Sequence, residues 1–537
     1  MKKAAKRSSP KKRATTTRVS TGAIRKTPTH IPGFDYVAEG GIPTGRATLV
    51  AGSAGSGKTV FAAQFLSMGI LEDDEPGVFV TFEEPPADLR RNVKAFGWDI
   101  EGWEKQGKWR FVDVSPDAHG PTPIVGQFDL GGLMARVTNA VEKTKAKRVA
   151  LDTLSALIHA IPDPALLRTE LFKIVAQLKE MGVTVLITAE RPDDLGPITR
   201  NGVEEFVADN VIILRNSLAD ERRRRTVEIL KFRGTAHKRE EVTFTITQCG
   251  IVVLPLTSQE LTQASTTLRI PSGISELDEM AGGGFFRDSV ILISGATGTG
   301  KTLAVTQFMS GGLAGKDRCL LFAFEESRDQ LIRNAEAWGM DYVKAEKTGR
   351  LKIVSQYPHS RSMEDHFVVM RDMINEYKPD RVAVDSLSAL ERVFNLRSFR
   401  EFVISITALL KQKSITGVFT STTATLLGGG SVTERHISTL TDSIILLRYV
   451  ERDGRMARGL TILKMRGSLH DTSIREYTID KKGMHIGPRF RGMSGILSGA
   501  MVPTTRRRGE DSGYSAEKQS EEWHDSWQTT EDMSSDE

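Results

Sequence analysis

Cysteine is nearly absent: Cys249 and Cys319 are the only two in 537 residues. Two thiols build neither a disulfide framework nor a Cys-rich zinc centre, and this usage points to a reducing, cytoplasmic setting. No apolar run approaches the ~20 residues that cross a bilayer, and the N-terminus lacks the apolar stretch of a secretory signal. Acids are missing from residues 1–30, which hold ten Lys/Arg. A transit peptide shares that bias, but Pro10, Pro28 and the lack of an amphipathic period read as a disordered basic tail. Bases are almost missing from 509–537, where ten Asp/Glu face Lys518 alone. The body between carries 62 basic and 58 acidic residues, so the net charge of +5 does not describe a basic nucleic-acid-binding body.

The chain does contain a long internal repeat. Gly52-Ser-Ala-Gly-Ser-Gly-Lys58-Thr59 returns as Gly295-Ala-Thr-Gly-Thr-Gly-Lys301-Thr302, and Thr81-Phe82-Glu83-Glu84 as Ala323-Phe324-Glu325-Glu326. Val149-Ala-Leu-Asp152-Thr153 returns as Val382-Ala-Val-Asp385-Ser386, and Lys231-Phe-Arg233-Gly-Thr-Ala-His237 as Lys464-Met-Arg466-Gly-Ser-Leu-His470. Four motifs in one order are a duplicated domain. The expected organisation is a basic tail over 1–30, a first domain over 31–255, a linker over 256–267 and a second domain over 268–487. A mobile arm with an acidic tail follows over 488–537.

Short β-branched runs at 47–51, 77–82, 148–151, 184–188 and 210–214 alternate with amphipathic segments at 59–70, 87–96, 130–144 and 166–181. The second domain repeats the order, with runs at 290–294, 318–324, 381–384, 417–420 and 443–447. Such alternation predicts an α/β fold, in each domain a mostly parallel sheet with helices on both faces.

Each G-x-x-x-x-G-K-T stands between a predicted strand and a predicted helix, the context a phosphate loop requires. Backbone N–H groups from Gly55, Ser56 and Gly57, and from Gly298, Thr299 and Gly300, are expected to curl around phosphate oxygens. Lys58 and Lys301 would neutralise the β- and γ-phosphates, and the hydroxyls of Thr59 and Thr302 would ligate Mg²⁺. Asp152 and Asp385 end apolar strands in a Walker B pattern and would hold the same ion; capping of the following helix is the plainer alternative. Adjacent carboxylates on a strand point to opposite sides. One of Glu83/Glu84 and one of Glu325/Glu326 is therefore expected to accept a proton while its neighbour supports it or the metal. The K-x-R-G-[ST]-x-H motif offers a fixed cation that could act on a neighbouring subunit's nucleotide, or an exposed hairpin. Arg222–Arg225 read as a solvated hairpin turn. One asymmetry separates the copies: Ser438-Thr439 stand where the first domain has Glu205-Phe206, among further hydroxyls at Ser431, Thr433 and Thr441. Taken bare, such a cluster is a solvated loop.

These motifs, with His436-Ile-Ser438-Thr439-Leu-Thr-Asp442, Gly-Val-Glu-Glu-Phe-Val over 202–207 and Glu-Arg-Arg-Arg-Arg-Thr over 221–226, resemble the KaiC family. That family comprises the RecA-like ATPase and autokinase of the cyanobacterial clock, and the likeness covers about 31–497. The resemblance implies tandem RecA-like domains in a two-tiered homohexamer, with ATP and Mg²⁺ at subunit interfaces. The first domain would be a slow ATPase. The second would move the γ-phosphate to and from Ser438 and Thr439, and Thr433 matches a further hydroxyl position. It also implies ATP contacts from Lys231, Phe232, Arg233, Thr235 and His237, and from Lys464, Met465, Arg466, Ser468 and His470. Leu303, Trp338 and Arg458 join the second set, with Glu325 within reach of the metal. A KaiB-like protein would bind the first domain, and KaiA, where present, the C-terminal segment. Leu469 stands where the family usually has Trp, Gln248 where Asp is usual, and the arm after Gly487 follows the family only loosely.

Two other classes share parts of this pattern. A DNA-dependent recombinase or helicase has the same fold, but the body here lacks a basic groove interleaved with aromatics. A scaffold that merely binds ATP would not need the paired carboxylates.

Overall fold

The computed structural model describes residues 24–115, 130–153, 161, 163–194, 196–199, 207–219, 222–255, 265–423, 437–452, 455–491, 493–494 and 502–503. Glu205, Phe206, Ser431, Thr433 and His436 lie outside them, as do most of both tails and most of the expected linker.

Strand formation follows the apolar runs. The first domain contains β1 (Ala47–Gly52), α1 (Lys58–Asp73), β2 (Gly77–Thr81), α2 (Pro86–Val93), β3 (Trp109–Asp113), α3 (Leu130–Thr144), β4 (Arg148–Asp152), α4 (Pro164–Glu180) and β5 (Thr184–Glu190). It closes with β6 (Asn210–Ala219), β7 (Arg222–Phe232), β8 (Val242–Thr247) and β9 (Gly250–Leu254). The second contains β10 (Val290–Gly295), α5 (Lys301–Ala314), β11 (Cys319–Ala323), α6 (Arg328–Ala337), β12 (Leu351–Ser355), α7 (Met363–Tyr377) and β13 (Arg381–Asp385). It continues with α8 (Leu396–Gln412), β14 (Thr416–Thr422), β15 (Ser443–Arg452), β16 (Arg455–Met465), β17 (Arg475–Asp480) and β18 (Gly483–Arg489).

The two sheets have one plan. Strand order is β3-β2-β4-β5-β1-β6-β7-β8-β9 in the first and β12-β11-β13-β14-β10-β15-β16-β17-β18 in the second. The six strands from β3 to β6, and from β12 to β15, pair in parallel. The last three strands of each run antiparallel. Both faces of each sheet bury an apolar core, because β1 and β10 are buried along their whole length. The duplicated α/β architecture read from the sequence is thus present, with an antiparallel extension that the apolar runs did not announce.

Two expectations need correction. Arg222–Arg225 do not form a solvated turn; they open β7 and pair with residues of β6, Arg225 opposite Asn216 and Arg222 opposite Ala219. Each guanidinium has its own partner, which is why a run of like charge stays extended. Arg223 donates to Asn216 O at 2.8 Å, Arg224 meets Glu364 and Glu401 of the second domain at 3.3 and 3.1 Å, and Arg225 Nε donates to Gly55 O at 3.2 Å. Nor does the second domain stop at Gly487: β18 runs through Pro488 to Arg489, on a sheet edge where a missing N–H costs nothing. The domains also share apolar surface. Alternation along β9 sends Ile251 and Val253 into the first core and Val252 and Leu254 into a core that α7 and α8 share with one face of the second sheet.

Candidate nucleotide site

The loop after β1 turns on Gly55 (φ 71°) and Gly57 (φ 95°), and the loop after β10 on Gly298 (φ 80°) and Gly300 (φ 99°). Side chains rarely adopt these torsions, so glycine is required there. Space requires it too: a Cβ on Gly57 would stand 3.1 Å from Ile246 Cδ1, and one on Gly300 2.9 Å from Ile479 Cδ1. The antiparallel strands β8 and β17 therefore back the phosphate loops. Neither α1 nor α5 has a side-chain N-cap, so their first N–H groups face the loop uncapped. Ser56 Oγ is buried without a protein partner.

Lys58 Nζ donates to the carbonyls of Gly52 and Ser53 at 2.9 and 3.0 Å, and Lys301 Nζ to those of Gly295 and Ala296 at 2.8 and 2.9 Å. Burial lowers the pKa of both ammonium groups, while Glu190, Asp152 and Glu83 in one site and Asp385 and Glu325 in the other counteract it. Asp152 accepts from Thr188 Oγ1 and interacts with Thr59; Asp385 accepts from Thr420 Oγ1 and, at 2.7 Å, from Thr302 Oγ1. Burial raises the pKa of both aspartates. A hydroxyl beside a buried carboxylate, next to a loop shaped for phosphate, is a donor set of hard oxygens that fits Mg²⁺, an ion that takes few protein ligands and shares the rest with phosphate and water. The peptide bonds Asp152–Thr153 and Asp385–Ser386 are both cis.

Each glutamate pair stands just past its strand end, in the bend before the next helix, so its members divide by burial and not by strand alternation. Glu83 and Glu325 are the members whose charge reaches Lys58 and Lys301, and Glu325 accepts from Arg392. Glu84 and Glu326 lie closer in, and burial raises their pKa, with the charges of Asp152 and Asp385 adding to it. Both accept from an asparagine, Asn92 or Asn334. Arg458 lies 5.8 Å from the Tyr449 ring, and the Tyr449 hydroxyl reaches within 2.7 Å of where a Cβ on Gly298 would stand. Arg225 occupies the matching place in the first domain. It was missed because a four-arginine run looks like a surface turn.

The remaining motif residues stand elsewhere. Lys231 Nζ donates to Ala208 O at 3.0 Å and Arg233 lies 3.9 Å from Asp209, both just before β6. Lys464 Nζ donates to the carbonyls of Ser438 and Thr441 at 2.5 and 2.7 Å, and Arg466 to that of Thr439 at 2.9 Å. Because β15 starts beside Ile291 while the phosphate loop follows Gly295, these groups sit at the opposite end of β10 from their own domain's loop. The separation is about 13 Å along the strand. Phe232 packs in the first core, with His237 5.3 Å from its ring, while Met465 and Leu303 pack in the second. Trp338 closes α6 and is half-buried against that core. Thr235 and Ser468 lie in the turns after β7 and β16, and Ser468 Oγ meets Arg269. His237 Nδ1, His470 Nε2 and Arg458 Nε are buried without a protein partner.

Comparison with known proteins points to one family. A family profile described as "ATPase: KaiC" matches residues 27–258 and again 270–490. The circadian clock protein KaiC3 of Synechocystis sp. is 59% identical over 488 residues, covering 90% of this chain and 96% of that protein. The circadian clock oscillator protein KaiC of Synechococcus elongatus is 52% identical over 483 residues, covering 90% and 93%. That of Thermostichus vulcanus is 50% identical over 490 residues, covering 91% and 94%. Among the described residues, no helix is long and apolar enough to cross a membrane.

Proposed function

This chain belongs to the KaiC ATPase family, and from that premise we propose an ATP-hydrolysing autokinase that transfers phosphate to Ser438 and Thr439 and assembles as a two-tiered homohexamer. The observation that carries the proposal is the placement of groups along the central strands. Ser438 and Thr439, with Lys464 and Arg466 on their backbone carbonyls, stand at the end of β10 opposite their own domain's loop. A phosphoacceptor so placed is served by a loop from a neighbouring subunit, and a ring supplies that neighbour to every copy. Lys231 and Arg233 repeat the arrangement in the first domain, where Glu205-Phe206 stand in place of the hydroxyl pair, so that tier hydrolyses ATP.

Within a site, Lys58 or Lys301 leaves its loop carbonyls for the β- and γ-phosphates, and the loop N–H groups fix the terminal phosphate for in-line attack. Thr59 with Asp152, and Thr302 with Asp385, would hold Mg²⁺, which when bound spreads the developing charge of the transferring group. Glu83 and Glu325, closest to the loop lysines, take the proton from water in the first tier and from the Ser438 or Thr439 hydroxyl in the second. Glu84 and Glu326 support the metal-binding aspartates beside them. The cations of the K-x-R-G motif meet the neighbour's γ-phosphate. A KaiB-like protein on the first domain is the partner the family membership suggests.

The test is site-resolved mass spectrometry after incubation with Mg-ATP, with Glu325→Gln/Glu326→Gln as control. Phosphate at Ser438 and Thr439 that disappears in the control is expected. Unmodified peptides from protein that still hydrolyses ATP would overturn the kinase reading and leave the ATPase standing.

A further inference from the structure

We propose that Asn92 and Asn334 are positioning residues that aim the second glutamate of each pair, Glu84 and Glu326, at the nucleotide site. The inference rests on the reading of those carboxylates as part of the catalytic machinery. Asn92 Nδ2 donates to Glu84 Oε1, and Asn334 Nδ2 donates to Glu326 Oε2 at 2.9 Å. In each domain the asparagine stands eight residues after its glutamate, near the end of the helix that follows the strand, α2 or α6. A helix of about two turns carries the amide back to the strand end it left. The same contact is kept in both halves of the duplicated chain.

The choice of donor matters chemically. Cations are close by, but in the first domain their ion-pair partners are others: Arg90 pairs with Glu104 at 2.7 Å, and Arg91, whose charge still reaches Glu84, pairs with Asp88 at 2.8 Å. A neutral amide orients a carboxylate through one hydrogen bond without cancelling its charge, whereas Arg392 does bring a full charge to the neighbouring Glu325. The first domain has a second restraint, because Thr81 Oγ1 donates to Glu84 O at 2.5 Å. The second domain has Ala323 at the matching position and no such hydroxyl. Asn334 consequently carries more of the positioning than Asn92 does.

The experiment compares Asn92→Leu and Asn334→Leu with Asn92→Gln and Asn334→Gln in the full-length chain, with Glu84→Ala and Glu326→Ala alongside. ATP turnover is measured against ATP concentration. Positioning predicts a fall in kcat of about tenfold in the Leu variants with KM unchanged. It predicts the larger loss at Asn334 in phosphate transfer, and recovery of turnover in the Gln variants, which keep the amide. Wild-type kcat in both Leu variants beside impaired Glu84→Ala and Glu326→Ala would overturn the positioning role alone. Equal losses in the Leu and Gln variants, or a loss confined to KM, would also overturn it. Full turnover in Glu84→Ala and Glu326→Ala is a different result: it would overturn the catalytic reading of those carboxylates.

Discussion

At Gly300 a methyl group would face both a torsion of φ 99° and the Ile479 side chain at 2.9 Å. Strain of about 1–2 kcal/mol in a loop that must wrap phosphate predicts that Gly300→Ala weakens ATP binding to the second domain about tenfold, read by equilibrium nucleotide binding. Arg381 makes a structural counterpart. Its side chain is 1% exposed and bonds Asp317 at 2.7 Å and the carbonyls of Pro271 and Phe308 at 2.8 and 2.9 Å. Arg148 does the same with Asp73, Glu75 and Phe65 O. Gly69 and Gly312 make room for them, since a Cβ at either would lie within 2.4 to 2.6 Å of the arginine. Arg381→Met strands Asp317 and two carbonyls, so a loss of about 3 kcal/mol is expected in chemical denaturation. The loop glycines and lysines were legible in the sequence because their spacing is itself the chemistry. Arg148 and Arg381 were not, because an arginine opening an apolar strand announces nothing until its carbonyl partners converge.

On the scale of elements, α7 carries a pH-sensitive contact. His366 is buried between Phe324 and Phe394, edge-on to both, with Nε2 3.0 Å from Pro358 O. Burial holds its pKa below the ordinary 6.5, with Arg361 and Arg222 adding to the effect and the Pro358 hydrogen bond and Asp365 opposing it. Above that value the ring is neutral in the folded and unfolded chain alike. Below it the unfolded chain takes up a proton that the folded one resists, so stability falls until the folded pKa is also passed. Thermal melts between about pH 7.5 and pH 5.5 should show this decline, and His366→Phe should flatten it. The parallel strands other than β3 and β12 could be read from their apolar runs, as could α3 and most of α1 and α4; β3 and β12 could not, because Arg110 and Asp113 in one and Lys352 in the other interrupt the run. The antiparallel strands β7–β9 and β16–β18 could not, because the first strand of each set is rich in charge and finds its place only by pairing with β6 or β15.

For the whole molecule, the two tiers should separate by function. Lys58→Ala should abolish turnover in the first tier, and Lys301→Ala should abolish phosphate on Ser438 and Thr439 while leaving first-tier hydrolysis; ATPase rates with site-resolved mass spectrometry check both. The two domains touch through Arg222, stacked 4.9 Å from Phe394, through Arg224 on Glu364 and Glu401, and through Thr245 on Asp365. Arg224→Ala leaves Glu364 and Glu401 without that partner and is expected to lower the midpoint of thermal unfolding by a few degrees.

By itself, the sequence determined that there are two domains of one kind and where their phosphate loops lie, and it pointed to the carboxylates and hydroxyls expected to serve them. Glycine torsions, strand alternation and the loop-to-helix junction are local properties, written within about ten residues and written twice. Only the tertiary structure decided which groups share a site within one chain. It brought Arg225 and the Tyr449–Arg458 pair to the loops, set Asn92 and Asn334 on their glutamates, and left Ser438, Thr439 and the K-x-R-G motifs at the far end of the central strand. Strand order and direction settle those distances, and they arise from hydrogen-bond pairing between segments more than a hundred residues apart, which no local pattern encodes.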